Sequence, residues 1–151
     1  MVAETTLAYL AGLIDGEGYI GVKKTNAKNS VSPLYHERIQ MRMVHEGAIA
    51  LLASTLGGNY YRERPHANNG RPLYCYQASD AKAAEILERL LPYLVVKREA
   101  AENVLRLRAS KNDPRARRRG GMTQRRLMAP EVLAEREAIY LRAKELNRVG
   151  P

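Results

Sequence analysis

Hydrophobic and polar positions recur along this chain with two different periods, and the switches between them mark the elements. Residues 5–15 follow the helical period, with Leu7, Leu10, Leu13 and Ile14 on one face, Thr5 or Thr6 where an N-cap belongs, and Gly16 and Gly18 as stop signals. In residues 37–43 the period drops to two. Ile39, Met41 and Met43 alternate there with Arg38, Gln40 and Arg42, which predicts a strand with one buried face and one basic face. Residues 19–26 supply its partner strand, Ile20 and Val22 pointing inward and Gly21, Lys23 and Thr25 outward. A helix over 46–56 ends at Gly57-Gly58, and residues 59–64 and 73–78 read as a second hairpin around the turn-rich segment Pro65 to Pro72. Ser79 or Asp80 caps the next helix, to about Leu91; Pro92 interrupts it before a further helix over 97–110. The order is therefore α-β-β-α-β-β-α-α, an α+β pattern, with a last helix over 130–147 starting at Pro130. Residues 1–110 make the core, 111–128 a basic, mobile connector and 129–151 the C-terminal helix.

Charge adds a partner to this picture. Twenty-five Lys and Arg against 16 Asp and Glu leave a formal charge of +9 in 151 residues, which favours a polyanion, nucleic acid ahead of an anionic membrane surface. The aromatic residues are nine Tyr with neither Phe nor Trp, rings suited to half-wetted surfaces. Cys75 is the sole cysteine, so an internal disulfide and a cysteine-cluster zinc site are both excluded. The apolar stretch from Leu7 to Ile14 falls short of the roughly 18–20 residues that span a bilayer, and no signal segment opens the chain. A soluble protein of a reducing cytoplasm, or of an organelle matrix if organelle-encoded, with no membrane partner is the expectation.

Candidate chemistry sits where the first helix ends. Residues 10–18 read LAGLIDGEG, and Asp15 and Glu17 lie at a helix C-terminus, where the macrodipole is already negative. A bound divalent cation reverses that penalty, because carboxylates and unpaired terminal carbonyls are oxygen ligands of the kind Mg²⁺ prefers. Gly16 and Gly18 let the backbone approach such an ion and turn into the strand. Ala8, Ala11 and Gly12, spaced three and four apart, permit close approach of a second helix.

The segment LAGLIDGEG resembles the signature of the LAGLIDADG homing endonucleases, departing from it only at Gly16 and Glu17. The resemblance covers residues 5–110, whose element order matches that family's core, and leaves 111–151 poorly covered. It implies a homodimer, since this chain carries one motif, with paired motif helices meeting through Ala8, Ala11 and Gly12. It also implies a Mg²⁺ or Mn²⁺ cofactor, with Glu17 as the metal-binding acid and Gly16 offering a carbonyl, while Asp15 is a structural acid. In the family a lysine often follows a Leu-Pro-aromatic-Leu segment; LPYLVVK places Lys97 there, able to stabilise phosphorane charge or orient water. His45 stands where the family often keeps a water-orienting polar residue, and Ile49 where a relative carries a basic one. Simpler readings are a solvated lysine at a helix start and an exposed histidine at a helix N-terminus.

By the same resemblance, the four strands form a curved antiparallel sheet laid in the major groove of double-stranded DNA. Alternation selects Lys23, Thr25, Arg38, Gln40, Arg42, Arg62, Arg64, Tyr74 and Tyr76 as its outward, DNA-binding residues. Lys28, Arg71 and the cluster Arg115, Arg117, Arg118 and Arg119 suit phosphate contacts or a disordered tail. The function implied is metal-dependent, site-specific hydrolysis of one phosphodiester on each strand. The alternatives are an intron-RNA maturase and a catalytically silent DNA-binding protein on the same scaffold.

Overall fold

The computed structural model describes residues 1–26, 31–64, 69–114 and 128–148. Its elements follow the predicted order: α1 (Glu4–Glu17), β1 (Gly18–Thr25), β2 (Leu34–Met43), α2 (Glu46–Leu56), β3 (Asn59–Arg62), β4 (Tyr74–Ser79), α3 (Asp80–Leu90), a 3₁₀ turn (Leu91–Tyr93), α4 (Arg98–Asn112) and α5 (Pro130–Leu146). The strands form one antiparallel sheet in the order β1-β2-β4-β3, with Ile20 opposite Ile39 and Gln40 opposite Gln77. Helices cover one face and leave the other open, so the fold is α+β.

The helix-side core is built from the inward row of the strands. Ile20, Val22, Ile39, Met41 and Tyr76 are buried against Leu10 and Ile14 of α1, Ile49 and Leu52 of α2, Leu87 and Leu90 of α3, and Val104 and Leu107 of α4. Each fully buried aliphatic side chain contributes about 1.5–3 kcal/mol relative to exposure. Both ends of α1 differ from expectation. Ala3, not Thr5 or Thr6, is the N-cap of α1, and no side chain caps that end. At the other end α1 runs through Gly16 to Glu17 before Gly18 turns the chain into β1. A Cβ at Gly18 would lie 2.8 Å from Ile14 O and 3.0 Å from Ile14 Cα, so only glycine permits this abrupt passage from helix to strand.

Two polar clusters fasten the sheet to the C-terminal half of the chain. Glu37 is fully buried on the helix side of β2, where Arg108 Nη2 donates to it at 2.6 Å and Lys111 Nζ lies 2.9 Å from Oε1. An unpaired buried carboxylate would be costly, so α4 must deliver both cations for β2 to fold as it does. Farther along, Lys24 Nζ is 2.8 Å from Glu137 of α5, Tyr35 donates to the same carboxylate, and Asn147 Nδ2 donates at 2.8 Å to Ile20 O of the edge strand β1. Most of the expected connector, including Arg115, Arg117, Arg118 and Arg119, lies outside the described residues, as does Lys28. Residues 111–112, assigned to the connector from sequence, belong to α4.

Candidate active site and nucleic-acid face

The end of α1 brings the predicted acids and the predicted lysine together. Asp15 Oδ2 accepts from Val95 N at 2.8 Å and Oδ1 from Lys97 N at 2.9 Å, so this carboxylate fixes the segment that leads into α4. Lys97 Nζ in turn donates to Asp15 O. The ammonium is thereby held at the C-terminus of α1, two residues from Glu17, and supplies positive charge where the helix dipole is negative and the last turn has no basic residue of its own. Glu17 is exposed and, among the described residues, makes no hydrogen bond or ion pair. An unpaired carboxylate beside a helix C-terminus is an unfavourable arrangement unless something cationic completes it.

No group of three His, Cys, Asp or Glu able to hold a metal occurs among the described residues. One chain can therefore offer a divalent ion the Glu17 carboxylate and main-chain oxygens such as that of Gly16, with further ligands coming from elsewhere. That donor set fits Mg²⁺, which is commonly held by one or two carboxylates with phosphate oxygens and water completing its shell.

His45 is the N-cap of α2: its Nδ1 accepts from Ala48 N at 3.1 Å. That bond places the ring proton of the neutral imidazole on Nε2, leaving an outward donor on an exposed side chain. Ile49 is fully buried and belongs to the core, so it contributes nothing to a solvent network.

The open face of the sheet is defined by register. Tyr19, Gly21, Lys23 and Thr25 on β1 line up with His36, Arg38, Gln40 and Arg42 on β2, then with Cys75, Gln77 and Ser79 on β4, then with Asn59 and Tyr61 on β3. Lys23, Thr25, Arg38, Gln40 and Arg42 thus occupy the face predicted for them. Arg42 Nε is 2.7 Å from Glu63 Oε1, and Gln40 Nε2 donates to Cys75 Sγ at 3.3 Å. Tyr19 folds its ring across Gly21, where a Cβ would come within 2.3 Å of the hydroxyl. Burial pushes that hydroxyl above the ordinary tyrosine range, with Arg38 pulling partly the other way.

Four assignments on the second hairpin need correction. Tyr74 and Tyr76 are on the helix side, in register with Met43 and Met41. Tyr76 is fully buried and donates to Gly57 O at 2.6 Å, and burial pushes its hydroxyl up to about 12. Arg62 pairs with Tyr74 and shares its side of the sheet, exposed beyond the core, and Arg64 lies past the end of β3. The outward row that sequence reading missed comprises Gln77, Ser79, His36, Asn59, Tyr61 and Tyr19, while Cys75 lies on the same side by register but is fully buried. In YCYQAS the phase was carried by Gln77 and Ser79 against Ala78, a weaker signal than the tyrosines that suggested the opposite one.

On α1 the same test separates the three small residues. Ala11 is fully buried inside its own chain and cannot serve a partner, whereas Ala8 and Gly12 are exposed. Among the described residues nothing lies within 4 Å of where a Cβ on Gly12 would be. Tyr9, 55% exposed, and Leu51, 37% exposed, border a groove of about 450 Å³ beside them, lined also by Leu13, Met43 and His45.

No protein-family model matches the chain, and no curated protein matches it in sequence. Solved structures do. The homing endonuclease I-CvuI, in complex with its target in the presence of 2 mM Ca, has a TM-score of 0.75 at 20% identity, over 97% of this chain and 84% of that one. The archaeal intron-encoded homing endonuclease I-Vdi141I, complexed with DNA, has a TM-score of 0.74 at 12% identity, over 98% and 87%. The fold is that of the LAGLIDADG homing endonucleases. I-SmaMI, a LAGLIDADG homing endonuclease bound to cleaved DNA, has a TM-score of 0.67 at 16% identity, and the match covers 89% of this chain but 42% of that one. In this LAGLIDADG fold the motif residues form the second half of α1 and the turn into β1, and α5 lies behind the sheet against β1. No described helix is long and apolar enough to cross a membrane.

Proposed function

We propose that this chain is a site-specific DNA endonuclease of the LAGLIDADG homing type, working as a homodimer with a divalent cation. The observation that carries the reading is the paired geometry at the end of α1: an exposed, unpartnered Glu17 carboxylate beside an ammonium locked to Asp15 O. The open sheet face, with Lys23 and Arg38 among its polar groups, supports a duplex partner, since Arg and Lys hold phosphates and Arg also reads guanine edges. One motif helix supplies half of a centre that must cut two strands, and the exposed Ala8–Gly12 strip on α1 gives a second copy a close approach.

In the mechanism Glu17 and the Gly16 carbonyl would hold the cation, which would supply Lewis-acid polarisation of the phosphate and activation of water. Lys97 keeps a positive charge beside the scissile group as negative charge develops on it. Asp15 fixes Lys97 by its main chain and takes no part in the chemistry. His45 presents Nε2–H for a water molecule, its ring orientation set by the α2 cap.

The test uses a duplex made by joining the sequences that flank the gene, with the gene itself removed. The wild-type chain is expected to cut both strands in Mg²⁺ and to bind without cutting in Ca²⁺. Glu17→Gln should keep binding and lose cleavage by orders of magnitude, because an amide nitrogen cannot ligate the ion. A Glu17→Gln protein that cuts at near wild-type rate would remove the assignment.

A further inference from the structure

The open sheet face contains a side-chain chain that phosphate contact does not explain. His36 Nδ1 is 2.9 Å from Asp80 Oδ1, and His36 Nε2 is 3.0 Å from Thr25 Oγ1. All three border a groove of about 530 Å³ on that face, lined also by Lys23, Arg38, Gln77 and Ser79. Asp80 reaches His36 from the start of α3 with φ at +55°, a left-handed conformation uncommon for residues other than glycine. Ser79 precedes it as N-cap without a side-chain hydrogen bond, so the carboxylate at this helix start is turned to the histidine instead.

We propose that His36, oriented by Asp80, sets the hydrogen-bonding polarity of the Thr25 hydroxyl and makes Thr25 a specificity-determining contact to a base amino group in the major groove. This rests on the reading of the sheet as the DNA face. Burial alone would raise the Asp80 carboxyl, but the hydrogen bond from His36 and the nearby Lys111 outweigh it, so Asp80 sits below the ordinary carboxylate range. Asp80 is therefore an acceptor at neutral pH, and Nδ1 must carry the ring proton. In the neutral ring Nε2 is then an acceptor and takes the Thr25 hydroxyl proton. Thr25 is left with lone pairs alone facing the groove. It can accept from the exocyclic amino group of adenine or cytosine and cannot donate to the oxygens of guanine or thymine.

Protonation of His36 inverts this. Nε2–H donates to Thr25 Oγ1, and the freed hydroxyl proton becomes a donor toward the groove. The charged groups around the ring are Lys23 on β1, its direct cross-strand neighbour, Arg38 on β2, Asp80 and Lys82 on α3, and Lys111 on α4, whose Nζ is 3.5 Å from Asp80 Oδ1. Selectivity at this one position should thus change when His36 takes up a proton.

The test has two arms. In the first, long-range ¹H–¹⁵N NMR of the full chain without DNA should show the Nδ1–H tautomer of His36 at pH 8; the Nε2–H tautomer would overturn the proposal. In the second, bound sequences are selected from a randomised duplex library in Ca²⁺ at pH 8 and pH 5.5. Wild type should favour adenine or cytosine at one position per half-site at pH 8, by roughly three- to tenfold, and lose that preference at pH 5.5. The base recovered distinguishes adenine from cytosine. Thr25→Val should lose the preference at both pH values and leave other positions unchanged. Asp80→Asn, whose amide can donate or accept, should relax the preference at pH 8. If Thr25→Val selects the same sequences as wild type, the proposal fails while the endonuclease reading stands. If no sequence is enriched by any protein, both fail.

Discussion

Asp15 grips Lys97 from both ends: its carboxylate accepts the lysine's amide, and its carbonyl accepts the lysine's ammonium. The two acids of the motif therefore differ in kind. Asp15 is spent on two main-chain bonds, to Val95 and Lys97, while Glu17 is left open. Asp15→Asn puts an amide nitrogen against one of those N–H groups. It should lower stability by about 1–3 kcal/mol, as expected for hydrogen bonds to a charged acceptor, read as a shift in denaturant midpoint. Cleavage should fall as well, because Lys97 loses its registration. If the midpoint stays put while activity vanishes, Asp15 belongs to the chemistry and the division of labour is wrong.

Gly12→Leu should leave the chain folded and abolish assembly. Space around the Gly12 Cβ position is empty among the described residues, and leucine is the better helix former by roughly 0.5–1 kcal/mol. A partner α1 packed against Ala8 and Gly12 has no such room. Sedimentation equilibrium should report a dimer for wild type and a monomer for the variant. Persistence of the dimer would move the interface away from this strip.

Arg38→Ala and Arg62→Ala should behave differently although both remove one guanidinium. Arg38 is on the open face beside Ser79 and Gly21, whereas Arg62 is on the helix side with Tyr74. Loss of a base contact costs about 1–3 kcal/mol and relaxes preference at that position, so Arg38→Ala should change the selected sequence. Arg62→Ala should at most lower affinity evenly, with a smaller salt slope. Equal effects on sequence preference would mean that the face assignment fails.

Acid should release the C-terminal helix before the core. Hydrogen bonds from Lys24 and then Tyr35 hold the Glu137 carboxyl below its ordinary range. A depressed folded-state value means that the stabilisation is complete above the unfolded carboxylate value, about 4.3, and is lost as pH falls through the lower, folded one. Protection of the α5 amides, with the intrinsic pH dependence of exchange divided out, should therefore be flat above about pH 5 and fall below about 4. Glu137→Gln should show faster exchange at neutral pH and lose the acid step. An acid step retained in that variant would assign it to another group.

Element order was legible because each segment carries one clear period. LAYLAGLI is helical, and RIQMRM alternates cleanly, so even the facing of Arg38 and Gln40 could be read. YCYQAS was not, because tyrosine satisfies either side of a sheet: Tyr76 is fully buried yet keeps its hydroxyl bonded to Gly57 O. Glu37 shows a different limit. Its phase in β2 puts a carboxylate in the core, and what permits it is a pair of cations some seventy residues later, a pairing that no local pattern contains. At the site, LAGLIDGEG and LPYLVVK named the participants, but the Asp15 clamp joining them is a tertiary contact. Ala11 was misassigned because small residues on a helix mark close approach without saying to what, and here the neighbour is the chain's own core.

The bond from Asn147 to Ile20 O has a consequence for solubility. β1 is an edge strand, and an uncovered edge offers main-chain groups to any other extended segment, the usual start of sheet-to-sheet aggregation. Here α5 lies against β1 and occupies one of its carbonyls, acting as a guard rail along the edge. A chain shortened before Pro130 would lose more than a helix. It would expose β1 as a template, and its characteristic failure should be growth of light scattering at concentrations where the full chain stays clear.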